Sequence, residues 1–152
     1  MAQSPAHLET GRVLWVAALT LLLAELAVQA IRMAAILALH PAARFMPLTP
    51  LPPLIDTFIG AVGAVVVFAC FAEHENPVRK YRRVAAVVLA LSFLPDVLLA
   101  VSHNMGGGWP EACALMLMHV AVWAICVTLL PGLAFSKRSQ VAEKSSQPLS
   151  IL

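Results

Sequence analysis

Three ionisable side chains lie deep inside apolar stretches of the sequence: Glu25, Asp96 and His119. Ionisable groups inside a bilayer are costly, and they usually mark proton relays or pathways for ions and substrates. Counting from the nearest basic or acidic boundary residue, at about 1.5 Å per helical residue, places all three at one depth, somewhat outside the midplane. A layer of carboxylates and an imidazole could relay a proton or bind a small polar ligand.

Helical spacing extends this layer, because other polar residues share a helix face with its members. We expect Arg32 to pair with Asp56 near the outer surface of the membrane. We also expect Glu25 and Asp96 both to reach His119. The complete candidate layer, taken in chain order, consists of Glu25, Gln29, Arg32, Asp56, Ser92, Asp96 and His119.

Small residues and prolines accompany the polar layer. Asp56 shares its helical face with Gly60 and Gly63, and such glycines allow the backbone of a neighbouring helix to approach closely. Pro95 is expected to kink its helix and to free a carbonyl, which Ser92 or a neighbour could satisfy. The aromatic residues expected to anchor the helices at the membrane interfaces are Trp15, Tyr81 and Trp109.

The sequence contains no pattern typical of a metal or catalytic site. His119 has no second histidine at ligand spacing, and Met116 and Cys126 on its face are interpreted as packing residues. Cys70 and Cys113 also lie in apolar runs without a CxxC spacing. We predict no catalytic residues, no cofactor and no metal, so an enzyme is a less favoured interpretation than a binding or structural protein.

Four apolar stretches must position the polar layer. Of the 152 residues, 61% are hydrophobic and 12% are charged, whereas soluble domains average about 45–50% and about 25%. Each stretch is long enough to span a bilayer as a helix. We therefore predict an all-α fold, an integral membrane bundle of four transmembrane helices that forms a single domain over residues 1–135. The expected spans are residues 13–39, 54–71, 84–101 and 112–130, followed by a disordered polar tail at 136–152.

The distribution of Lys and Arg predicts the orientation of these spans. Basic residues concentrate at the amino end, in the charged loop at 72–83 and in the tail, so both termini are placed in the cytoplasm. Binding of anionic lipid by the basic cluster at 79–83 is an alternative to a topology signal. A cleaved signal peptide is a less favoured alternative for the first span, because Glu25 and Gln29 argue against cleavage.

Four segments of the sequence occur together in a recognisable order: PLTPLPPLIDTFIGAVGAVVVFACF, NPVRKYRR, LSFLPD and LMLMH. They resemble a family of small bacterial four-helix membrane proteins described only as a domain of unknown function. The resemblance extends from the first helix to about Leu130, and LSFLPD and LMLMH are its most specific parts. It implies a four-helix protein of the bacterial cytoplasmic membrane and no known activity. The positions that it marks for testing are Ser92, Pro95, Asp96 and His119.

Three functions are compatible with these features. The favoured hypothesis is a structural or interaction role in the lipid bilayer, with a second copy of the chain or another membrane protein as partner. The second is binding or transport of a small ligand or proton by Glu25, Asp96 and His119. The third is an enzyme acting on a lipid or quinone headgroup, which requires a cavity holding Asp96 and His119. The net charge of +2 is too small to indicate a nucleic-acid partner.

Overall fold

The structure, a computed structural model, describes residues 10–42, 45–72, 74, 76–103 and 106–134. Over this part the protein is an all-α bundle, and no strand occurs in it. The helices are α1 (Thr10–Leu39), α2 (Leu51–Phe71), α3 (Pro77–Ser102) and α4 (Trp109–Ala134), with a 3-10 turn at Met46–Leu48. All four are long and apolar enough to cross a membrane. The predicted fold class is therefore confirmed, and the chain is a multi-pass membrane protein by length and composition.

All four helices begin earlier than the predicted spans, and prolines occupy the first turns of α2 and α3. α2 begins at Leu51 and contains Pro52 and Pro53, where the missing N–H groups would have no partner within the helix anyway. α3 begins at Pro77 rather than at residue 84. The basic cluster therefore lies on the first two turns of α3, and the connection before it is shorter than the predicted charged loop. The predicted tail, residues 136–152, lies outside the described residues.

The α1–α2 and α3–α4 connections meet at one end of the bundle. Phe45 from the first connection is buried, and a Cβ atom added at Gly107 in the other would overlap its ring. α4 then starts with one half of a capping box, in which the Gly108 N–H donates to Glu111 Oε2 at 2.8 Å. Gly107 is consequently a position where only glycine lets the two connections touch.

The buried residues form two apolar clusters, one toward each end of the bundle. The cluster near the α1–α2 connection includes Val28, Phe45 and Met118, and the opposite cluster includes Phe68 and Tyr81. α1 packs extensively along α4, and α4 along α3, whereas α2 and α3 contact each other sparsely. Many large apolar side chains point outward, and the most exposed leucines are the ones expected to face lipid chains.

Candidate intramembrane binding groove

The sparse contact between α2 and α3 leaves a groove with a volume of about 790 Å³. We call it the α2–α3 groove. α2 lines it from Pro52 to Val67, α3 lines it from Tyr81 to Leu99, and α4 closes its back. At about 1.5 Å per residue, the α2 wall alone is about 22 Å long. The groove therefore extends over most of the thickness of a hydrocarbon core of about 30 Å.

The groove opens sideways between its two walls. Ile59 on α2 and Val88 on α3 line it and are 63% and 57% exposed. Gly60 and Gly63 are exposed groove residues as well, and a Cβ atom at either would meet nothing within 4 Å. Within one chain, no described backbone therefore approaches these glycines closely, and a close helix contact at this face stays a prediction for a partner helix. Both glycines face the open groove and widen it, so its side is accessible from where lipid chains lie.

Asp96 and His119 meet on the wall of the groove. Their side-chain atoms Oδ2 and Nε2 are 3.4 Å apart, and Asp96 is 6% exposed. The structure thus brings together the α3 carboxylate and the α4 imidazole, as expected from their common depth. Asp96 Oδ2 has no hydrogen-bond partner among the described residues, because the contact with His119 lacks hydrogen-bond geometry. This oxygen remains available to a group that enters the groove.

Two further buried polar atoms line the groove, the indole Nε1 of Trp123 and the hydroxyl of Tyr81. Neither makes a hydrogen bond within the part of the chain that the structure describes. Trp123 follows His119 by one helical turn. Tyr81 lies at the opposite end of the groove from the prolines, and its ring meets Phe68 edge to face at 5.3 Å.

The prediction that Tyr81 anchors the helix at the membrane interface is wrong, because this residue is 1% exposed. Trp15 and Trp109 are exposed, in agreement with their predicted role. The signal that was missed is helical register, since Tyr81 lies on the same face of α3 as Ser92 and Asp96. The basic residues that surround Tyr81 in the sequence suggested an exposed position, whereas its side chain points into the bundle.

Ser92 and Asp56 complete the polar lining of the groove. The Ser92 hydroxyl donates to the Leu89 carbonyl at 2.7 Å, so it does not satisfy the Leu91 carbonyl whose partner Pro95 removes. Asp56 is exposed on the α2 wall and is close enough to Asp96 for their charges to interact. Two carboxylates therefore face the same space from opposite walls.

The predicted pair of Arg32 and Asp56 does not form. Arg32 Nε donates to the Leu48 carbonyl at 3.0 Å, and Nη1 donates to Gln29 Oε1 at 3.2 Å. The 3-10 turn offers the guanidinium a backbone carbonyl, which takes the place expected for the carboxylate. Arg32 and Gln29 thus fix the α1–α2 connection at the end of the groove and do not line it.

The predicted contact of Glu25 with His119 is also wrong. Glu25 lies beside the buried face of α1 that carries Ala24 and Val28, and it does not line the groove. Its buried Oε2 has no hydrogen-bond partner among the described residues. The reason is rotational: neighbouring helix positions differ by about 100° in direction, and Ala24 takes the inward one.

The groove offers a carboxylate, an imidazole and an indole N–H against apolar walls. Among the described residues, no three His, Cys, Asp or Glu side chains come close enough to hold a metal ion. The groove-lining residues that the structure describes include no lysine or arginine. Such a lining can bind the polar part of a molecule whose remainder is apolar.

Comparison with known proteins adds no relative. No protein-family model, curated protein or solved structure matches the chain. The family resemblance of the LSFLPD and LMLMH segments therefore stays a prediction.

Proposed function

We propose that this protein binds a small amphiphilic molecule within the bilayer. The polar part of the ligand contacts Asp96 and His119, and its apolar part occupies the α2–α3 groove. The observation that carries the proposal is the buried Asp96 carboxylate, which faces the groove with an oxygen that makes no hydrogen bond to the described residues. The groove volume falls within the range of about 300–1,000 Å³ that is typical of small-molecule sites.

The energetics of the polar layer favour this proposal over a purely structural role. An unsatisfied buried polar group costs about 1–3 kcal/mol. Asp96, Tyr81 and Trp123 each place such an atom on the groove, with no hydrogen-bond partner in the described structure. Helix packing alone does not offset this cost, whereas hydrogen bonds to a bound polar group would.

The lateral opening supports entry of the ligand from the bilayer. Exposed residues on the α2 and α3 walls leave the groove continuous with the surroundings of the helices. We place the protein in a bacterial cytoplasmic membrane, as the family resemblance implies, with both termini in the cytoplasm, as the basic residues predict. The Asp96–His119 pair then lies in the outer half of the bilayer. The enzyme hypothesis needs the same groove, and binding is the step that both functions share.

The test uses Trp123 as a fluorescent reporter of the groove. Trp15→Phe and Trp109→Phe remove the other two of the three tryptophans, both of which are exposed. The protein in phosphatidylcholine nanodiscs is titrated with bromoundecanol, bromoundecyltrimethylammonium and bromoundecanoate, which are neutral, cationic and anionic quenchers. We expect saturable quenching of Trp123 by at least one of them, because bromine in the groove lies close to the indole.

A substitution that fills the groove separates binding from general contact with lipid. Gly63→Leu places a side chain in the open groove and should abolish saturation. Gly132→Leu is the matched control, because Gly132 also has open space around its Cβ position but lies outside the groove. Quenching that rises linearly, and equally in both variants, would contradict the proposal. A structural role would then be the favoured hypothesis.

A further inference from the structure

We infer that the ligand of the α2–α3 groove is a lipophilic cation. This ligand class rests on the proposed function and specifies the occupant of the same site. The observations behind it are the sign of the charges on the groove, the burial of one of them, and the aromatic rings along its walls.

The charge on the groove is predominantly negative. Asp56 and Asp96 face it from α2 and α3, and they lie close enough to interact electrostatically. Within the described lining, His119 is the one side chain that can carry a positive charge. When both carboxylates are ionised, a single imidazolium leaves one negative charge without a counter-ion. Arg32 does not supply one, because its guanidinium is bonded to Leu48 and Gln29 outside the groove.

The burial of Asp96 strengthens this preference. The residue is 6% exposed, and Oδ2 has no hydrogen-bond partner among the residues described. A carboxylate removed from water is stable in its charged form only with a compensating charge or hydrogen bonds. A cation in the groove supplies that charge, whereas an anion would add repulsion from two carboxylates at short range in a medium of low dielectric constant.

The walls favour an organic cation over an inorganic one. Trp123 and Tyr81 line the groove, and aromatic rings attract cations through their negative faces. The remaining lining is mainly aliphatic, and no described group of three donor side chains could replace the hydration shell of a metal ion. A delocalised or quaternary cation with apolar substituents satisfies both the carboxylates and the aliphatic walls.

The experiment compares probes of matched shape and opposite charge. Tetraphenylphosphonium and tetraphenylborate both carry four phenyl groups around a central atom, and triphenylphosphine oxide is a neutral relative. Each is equilibrated with the protein in phosphatidylcholine nanodiscs by dialysis and quantified by mass spectrometry, with empty nanodiscs as the baseline. We expect saturable binding of tetraphenylphosphonium that is at least about tenfold tighter than binding of the other two probes.

Variants assign the selectivity to the groove. Asp96→Asn keeps the shape of the side chain and removes its charge, and it should weaken tetraphenylphosphonium binding at least about tenfold. Asp56→Asn should weaken it less, because Asp56 is exposed. Glu25→Gln is the matched control, since it neutralises a carboxylate in a spanning helix that does not line the groove. The comparison of the three probes on the unaltered protein needs no variant to fold.

The possible results distinguish the ligand class from the binding function. Selective binding of tetraphenylphosphonium that is lost in Asp96→Asn supports the inference. Equal or tighter binding of the neutral or anionic probe, abolished by Gly63→Leu, overturns the cation preference and leaves the proposed function standing. Selective binding that is unchanged in Asp96→Asn also overturns the inference. If no probe binds above the empty-nanodisc baseline, both the inference and the proposed function are contradicted.

Discussion

Individual polar side chains in this protein differ in the hydrogen-bond partners that the fold places around them. Arg32 has three hydrogen-bond acceptors, a backbone carbonyl, an amide oxygen and a thioether sulfur. Tyr81 Oη has none among the described residues, although its ring is fully packed against Phe68. The first side chain stabilises a connection between helices, and the second brings its polar atom to the wall of the groove. Substitutions at Arg32 should therefore affect the stability of the connection, and substitutions of the Tyr81 hydroxyl should affect the groove.

Tyr81 permits a direct test of this difference. Tyr81→Phe removes a hydroxyl that makes no hydrogen bond to the described residues, so the protein should lose no stability, and the free energy of unfolding should rise by up to about 1–3 kcal/mol. Tyr81→Ala removes the ring and leaves a cavity beside Phe68, which should cost about 3–5 kcal/mol. Reversible unfolding in mixed detergent micelles measures both values. Destabilisation of more than about 1 kcal/mol by Tyr81→Phe would show that the hydroxyl has a partner in the folded protein.

The helices illustrate which features of an element follow from sequence. Length and apolar composition are sufficient to identify four spans, because a helix that faces lipid needs no periodic pattern. The start of α2 was placed too late because proline was treated as an interruption, although it is favoured in the first turn of a helix. The start of α3 was placed too late because its charged first turns were assigned to a loop. The contact between Phe45 and Gly107 joins two connections that are distant in sequence, and no local pattern predicts such a contact.

Gly107 should be intolerant of even the smallest side chain. Gly107→Ala places a methyl group within the Phe45 ring, and overpacking of this kind costs about 1–3 kcal/mol. Gly108→Ala is the control, because a Cβ atom there makes only ordinary contacts with Glu111 and Pro110. Thermal unfolding in nanodiscs compares the two variants. Adding Phe45→Leu to Gly107→Ala should restore part of the loss, and equal stability of the two alanine variants would contradict the packing described.

At the scale of the whole molecule, depth could be predicted and lateral arrangement could not. Asp96 and His119 meet because they lie at one depth on adjacent helices, which residue counting predicts. Which helices separate to form a groove is decided by packing across the bundle. A helix face that contacts lipid and one that lines an apolar groove have the same composition. No sequence pattern therefore predicts the α2–α3 groove. Glu25 was assigned to the layer by its depth and by the helix face that it shares with Gln29 and Arg32, and its direction on α1 excludes it from the groove.

The orientation of the bundle can be tested at its two ends. His74 in the α2–α3 connection and Ser102 at the end of α3 are exposed. Each is replaced by cysteine in a background with Cys70→Ser and Cys113→Ser, in which the buried Cys126 is retained. With cytoplasmic termini, a membrane-impermeant maleimide should label Ser102→Cys but not His74→Cys in intact cells. Both variants should be labelled after permeabilisation, and the reverse pattern in intact cells would mean that the topology is inverted.

The sideways opening between α2 and α3 determines which concentration governs occupancy. A ligand that enters through this opening equilibrates with the lipid phase, so its mole fraction in the membrane, and not its aqueous concentration, sets the extent of loading. Modest intrinsic affinity then suffices for a compound that partitions strongly into lipid. Adding protein-free vesicles at constant total ligand should empty the groove by dilution in two dimensions. Affinities expressed per volume of water would rank ligands largely by their partition coefficients.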